Sequence, residues 1–288
     1  MRQMLNTRIT HQPIAAMAVV ALMTAGCGAQ LRTVNTGPTQ TLRVSIPYPE
    51  LVEDAWRVSL TTGAARVRVT PGEEGILMGR VDYNFEPIMP VLTTGSRSVD
   101  LRQGNYVGTT PVNLQNEWTL SLGKRVPMNL VVREGAADSE WDLGGVPLRD
   151  VDWAVGAADT EIRFSAPNPQ PMARLKFASG AARARLRGLA NANIGEAKIS
   201  AGAGELTLAF DGKLASNAQI TLDGGASSLT IESAGTPIRV IVDGGLTSVR
   251  TEGWTRSGDT YDSPGRPNAS GPTVTIRATL GVSSLRLR

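Results

Sequence analysis

Residues 201–231 read AGAGELTLAFDGKLASNAQITLDGGASSLTI, and they hold one small unit twice. A corner rich in Gly and Ala leads into an alternating segment: Gly202-Ala203-Gly204-Glu205-Leu206-Thr207-Leu208, then Gly225-Ala226-Ser227-Ser228-Leu229-Thr230-Ile231. Such alternation is the period of a β-strand with one buried and one wet face. Outward from this stretch, corner markers fall at Ala137, Ala158, Gly180, Gly202, Gly225, Gly245 and Gly281, with steps of 21, 22, 22, 23, 20 and 36. A period near 22 residues predicts an all-β, solenoid-like stack of in-register repeats, each burying its apolar face against its neighbours.

The columns of the aligned units sharpen this expectation. Two residues per unit are mostly apolar and predicted inward: Trp141 and Leu143, Ile162 and Phe164, Ala184 and Leu186, Leu206 and Leu208, Leu229 and Ile231, Leu285 and Leu287. The outward column predicts a charge-alternating ladder of Glu161, Arg183 and Glu205, with Asp142 beside Arg163 in the next. The corners favour Gly and Ala because a bend repeated at every level leaves little room for a β-carbon.

The rest of the chain supplies a second module and an interruption. Residues 42–104 read as an amino-terminal β module, with strands at 41–47, 57–69 (around the corner Gly63-Ala64-Ala65), 76–83 and 91–101. Residues 105–288 read as the repeat stack. Residues 254–273 (WTRSGDTYDSPGRPNASGPT) interrupt its period and predict a projecting loop or hairpin. Two of its aromatics, Trp254 and Tyr261, are either partner contacts or a lid over the last repeats. The chain stops in a strand, which reads as an open sheet edge charged by Arg286 and Arg288; this edge and the 254–273 insertion are the expected partner-binding surfaces.

Residues 1–26 have the form of a secretion signal: Arg2 and Arg8, then an apolar run from Pro13 to Ala25 too short to span a bilayer as a helix. The run ends in Thr24-Ala25-Gly26-Cys27, which resembles a bacterial lipobox. Cys27 is the only cysteine of the 288 residues and is the expected site of lipid attachment. Residues 27–41 read as a tether, and the folded part is expected outside the cytoplasm, in the cell envelope.

Charge and ligand chemistry narrow the function classes. Without Arg2 and Arg8, the 29 Lys and Arg become 27 against 26 Asp and Glu, a net of +1 spread evenly, so no nucleic-acid footprint is visible. The single histidine, His11, lies in the leader. The mature chain therefore lacks the imidazole of a Ser-His-Asp or Cys-His arrangement. Copper, zinc or iron would have to be held by carboxylates, backbone and Met78, Met89, Met128 or Met172, which makes a copper-dependent redox enzyme the weaker alternative. Asp211, Asp223 and Asp243, each before a Gly, are candidate calcium ligands, but Asp-Gly is common in turns because the Asp bonds to nearby backbone. Asp138 with Glu140 and Asp159 with Glu161 share exposed strand faces, where solvation explains them.

The units GAADSEWDL, GAADTEIRF and GAGELTL, the stretch GLANANIGEAKISAGAGELTLAFDG and the ending LGVSSLRLR resemble the bacterial toast-rack family. That family is related to the carboxy-terminal domain of cell-wall-active antibiotics response proteins and to adhesin-like β-solenoids. Val58 to Asn84 resembles the family's amino-terminal module. The resemblance implies a stacked-β envelope protein that senses, scaffolds or adheres. It carries over no catalytic residues and no cofactor. With the expected lipid on Cys27, the chain reads as an envelope lipoprotein acting as a structural or interaction module, with envelope or surface-layer proteins as expected partners and a sensor of envelope stress or a ligand as a further alternative.

Overall fold

The central repeats are long strands folded at their middle by a glycine, and in other repeats the same corner separates two shorter strands. Met172–Arg187 turns at Gly180, Ile194–Ala209 at Gly202, and Ala218–Glu232 at Gly225, so each gives one half-strand to each of two sheet faces. Residues that alternate along both halves point inward at the same level, and the buried core runs between the faces. The structure, a computed structural model, describes residues 35–288 except 52, 53 and 246. The leader, Cys27 and most of the tether lie outside the described residues.

Among the described residues, eighteen strands form one sheet: β1 Gln40–Ile46, β2 Trp56–Gly72, β3 Leu77–Tyr83, β4 Val91–Gly95, β5 Ser98–Arg102, β6 Asn116–Gly123, β7 Met128–Asp142, β8 Leu148–Val155, β9 Asp159–Arg163, β10 Met172–Arg187, β11 Ile194–Ala209, β12 Ala218–Glu232, β13 Ile238–Gly244, β14 Ser248–Thr251, β15 Thr255–Ser257, β16 Thr260–Asp262, β17 Val274–Leu280 and β18 Ser284–Leu287. The only helix among the described residues is a 3-10 turn at Glu86–Ile88. On the first face the spatial order is β4, β5, β2, β7, β8, β10, β11, β12, β17, β13, β16, β15. On the second it is β1, β3, β6, β2, β7, β9, β10, β11, β12, β18, β14. Within the stack from β2 to β14 neighbouring rungs are parallel and in register; antiparallel strands occur only toward its two ends. At about 4.8 Å per strand the stack is roughly 50 Å long.

The apolar residues expected inward are all buried, from Trp141 and Leu143 to Leu285 and Leu287. The corner glycines form a column through the stack. A β-carbon on Gly156 would lie 2.8 Å from the carbonyl oxygen of Gly135, one on Gly180 3.0 Å from that of Gly156, one on Gly202 2.9 Å from that of Gly180, and one on Gly225 2.7 Å from that of Gly202. Close backbone approach, rather than a left-handed φ, keeps these positions as glycine.

Four expectations need correction. First, the bends before Gly180 sit at Gly135 and Gly156, two residues ahead of Ala137 and Ala158, so two more residues separate Gly156 from Gly180. Arg183 accordingly stands beside Asp159, not Glu161, while Asp142 does stand beside Arg163. Second, residues 91–101 are not one strand but the hairpin β4–β5, turned at Gly95-Ser96-Arg97-Ser98. Third, the 254–273 segment does form a hairpin, β15–β16, but it lies along the end of the sheet by pairing with β13 instead of projecting. Fourth, the final strand is not an edge. Its two halves, β17 and β18, sit between β12 on one side and β13 and β14 on the other, so the last repeat in sequence is the next-to-last in space.

The strands of 42–104 share this sheet with those of 105–288, since β2 pairs with β6 and along its length with β7.

Candidate functional site

The inner corner near the start of the stack carries the most unusual chemistry. Along β7 the alternation that buries Leu130 and Val132 also turns Glu134 inward, immediately before the bend at Gly135, and leaves it 4% exposed. Trp141 Nε1 donates to its Oε1 at 3.1 Å. Trp153 Nε1 and Thr160 Oγ1 donate to its Oε2 at 3.3 and 3.2 Å. Ser139 Oγ in turn donates to Thr160 Oγ1 at 3.1 Å. The two indoles meet edge to face, with ring centroids 4.5 Å apart. Burial pushes the Glu134 carboxyl above its ordinary range, and the four hydrogen-bonding neighbours oppose that only in part. The result is a sealed acid that ties β7, β8 and β9 together.

One rung earlier a neutral network fills the same corner. Gln103 Oε1 accepts from Gly63 N (2.8 Å) and from Asn116 Nδ2 (2.7 Å); Asn116 Oδ1 accepts from Trp118 Nε1 (2.8 Å). These groups replace the backbone partners that the next full repeat would supply, and so finish the stack at its start.

Outward, the second face is a ladder of ion pairs. Arg183 reaches Glu205 at 2.9 Å and Asp159 at 3.4 Å; Arg68 reaches Glu140 at 2.8 Å; Arg185 reaches Asp159 at 3.1 Å; Arg187 reaches Glu161 at 3.4 Å. All are solvent-exposed, so they set register and surface character more than stability.

The residues singled out from sequence do not gather into one site. Trp254 and Tyr261 are 7% and 4% exposed and belong to the core, so they close the end of the stack as a lid and are not surface contacts. Arg239 clamps this cap by a bidentate pair to Asp262, both bonds 2.8 Å. Asp211 accepts from the backbone N–H of Gly188 at 2.9 Å, on the preceding rung. Asp223 faces Lys198 at 3.9 Å, and Asp243 stands two strands away, with Thr279 between them. No three of the His, Cys, Asp and Glu side chains among the described residues converge as a metal-ligand set. Arg288 pairs with Glu252 at 3.4 Å, whereas Arg286 lies beside Arg250 of β14. Sequence reasoning passed over Glu134, although its inward phase after Leu130 and Val132 was a usable signal.

The architecture defines a class: a β-solenoid of folded strands with a continuous buried core. Residues 36–173 match the family model described as the N-terminal domain of toast_rack, DUF2154. Residues 36–173 thus carry the amino-terminal domain of the toast-rack family. Its structure is similar to that of a candidate cell adhesion protein from Clostridium sporogenes (13% identity, TM-score 0.45, 88% of this chain and 99% of the other). It is also similar to candidate adhesins from Bacteroides fragilis (9%, TM-score 0.34, 87% and 97%) and Parabacteroides merdae (10%, TM-score 0.28, 88% and 97%). No curated protein matches the sequence.

Proposed function

We propose that the protein is an envelope-attached interaction module, held to a membrane by lipid on Cys27 and offering its far end to a partner in the envelope or surface layer. The observation that carries this reading is the placement of the two ends. The described chain enters the stack through β1, an outermost strand at one end, while the cap formed by Trp254, Tyr261 and the β15–β16 hairpin closes the other end, roughly 50 Å away by strand spacing. A tether at the β1 end therefore leaves the capped end and the exposed ladders free to meet other molecules. The buried Glu134 network fits a structural role in that arrangement, because it is buried and holds three strands together.

The test is gentle solubilisation of the native protein from membranes, followed by mass spectrometry and elemental analysis of one purified peak. A co-purifying envelope protein is the expected result; a lone protein with near-stoichiometric copper would overturn the reading. The anchor is checked separately: Cys27→Ala should move the protein to the soluble fraction, and retention in the membrane would refute lipid attachment.

A further inference from the structure

We infer that the second face, close to its β14 end, carries a binding site for a tetrahedral oxyanion, a phosphate or sulfate group, formed by Arg250 and Arg286 with the hydroxyls of Ser228, Ser284 and Ser248. Intercalation of the final repeat makes this site. It sets Arg286 of β18 directly opposite Arg250 of β14, and Thr230 of β12 opposite Arg286 on the other side. One step along the strands, Ser228, Ser284 and Ser248 form a second row in the same register, with Ser284 Oγ donating to Ser228 Oγ at 3.2 Å. These side chains line one shallow concavity of about 130 Å³.

Charge singles the place out. Like charges directly opposite on neighbouring strands are destabilising. Elsewhere on this face, facing arginines have an acid in contact: Arg80, opposite Arg43, is paired to Asp82 at 2.9 Å, and Arg187, opposite Arg163, to Glu161 at 3.4 Å. Arg250 and Arg286 make no ion pair within 4.0 Å among the described residues. Glu205, one rung away from Ser228, is engaged by Arg183; of the two acids one step along the strands from the arginine row, Glu252 is engaged by Arg288, and Glu232 forms no ion pair among the described residues. Two arginines on strands about 4.8 Å apart, flanked by hydroxyl donors, can offer their guanidinium forks to the several oxygens of a tetrahedral anion, which brings the opposite charge. The site is independent of the tether and stands whether or not Cys27 carries lipid.

The full chain, purified from membranes, is melted at fixed pH in sodium phosphate against sodium chloride of equal ionic strength. Phosphate should raise the melting temperature of the unaltered protein in a concentration-dependent way, which gives an apparent affinity. Arg250→Ala and Arg286→Ala should each weaken that affinity about tenfold or more, by loss of charge-assisted hydrogen bonds. In chloride alone both variants should melt no lower than the unaltered protein, because removing one of two facing like charges relieves repulsion. Arg43→Ala, at the other end of the stack, should respond to phosphate as the unaltered protein does. Electrophoresis through a gel containing poly(glycerol phosphate) separates the two sources. Retardation that both variants lose assigns the phosphate of a polymer; unretarded migration beside a phosphate-dependent melting shift assigns the free anion. No phosphate response, or an equal response in both arginine variants, would overturn the site.

Discussion

Replacing Glu134 by Gln tests whether the buried corner is held by a neutral acid. The carboxyl receives three donors: the indole N–H of Trp141 on one oxygen, and the indole N–H of Trp153 with the Thr160 hydroxyl on the other. A glutamine has one acceptor oxygen, so in either amide orientation one indole N–H must face an NH₂ group. A buried donor left without an acceptor costs about 1–3 kcal/mol. At about 2–4 °C per kcal/mol for a domain of this size, the variant should melt about 2–12 °C lower at acidic pH. The difference should then shrink as pH rises. Burial raises the Glu134 carboxyl above its ordinary value of 4.5, so its contribution to stability is complete below that value and is lost as pH rises through the folded-state value. The variant has nothing to lose there. Parallel melts of the two proteins from about pH 4.5 to pH 9 cancel all other titrating groups, which both share. A gap that stays constant or widens toward alkaline pH would refute the neutral buried acid.

Other expectations follow from the packing. Gly202→Ala puts a methyl group 2.9 Å from the carbonyl of Gly180 and should lower the melting temperature by an overpacking cost of about 1–3 kcal/mol. Gly245→Ala, in the same column but with no atom within 4 Å of the added carbon, should melt almost unchanged; equal effects would refute the stacking explanation. Removal of residues 274–288 takes out the rung between β12 and β13–β14. Hydrogen exchange should then lose protection in β13 and β16 while β10 and β11 keep theirs, whereas β13 and β16 would keep their protection if the rungs followed sequence order. Arg239 holds the Asp262 carboxyl below its ordinary range by a direct hydrogen-bonded pair. That clamp is present above the ordinary Asp value and is lost as pH falls through the lowered one. Trp254 fluorescence should therefore report loosening of the cap in acid, and Arg239→Ala should abolish that transition.

The sequence by itself determined the all-β content, the period near 22 residues, the inward columns and the glycine corners from Gly180 onward, because each is a local matter of side-chain alternation and backbone crowding. It determined the charge ladders in kind, but the tertiary structure decided their register: two additional residues between Gly156 and Gly180 move Arg183 from Glu161 to Asp159. Trp254 and Tyr261 could be read either way, since sequence records the residues of the 254–273 hairpin but not whether it reaches back onto β13. Glu134 was written in the alternation after Leu130 and Val132, yet its role depends on Trp153 and Thr160, which reach it only from the neighbouring rung. The order of the last repeats was decided by tertiary structure alone. Copies with the same inward residues and corner glycine can stack on one another in more than one order, so β13–β14 and β17–β18 are interchangeable by pattern. Only the pairing of the β15–β16 hairpin onto β13 and the return of the chain into the slot beside β12 fix which is last, and with it the meeting of Arg250 and Arg286.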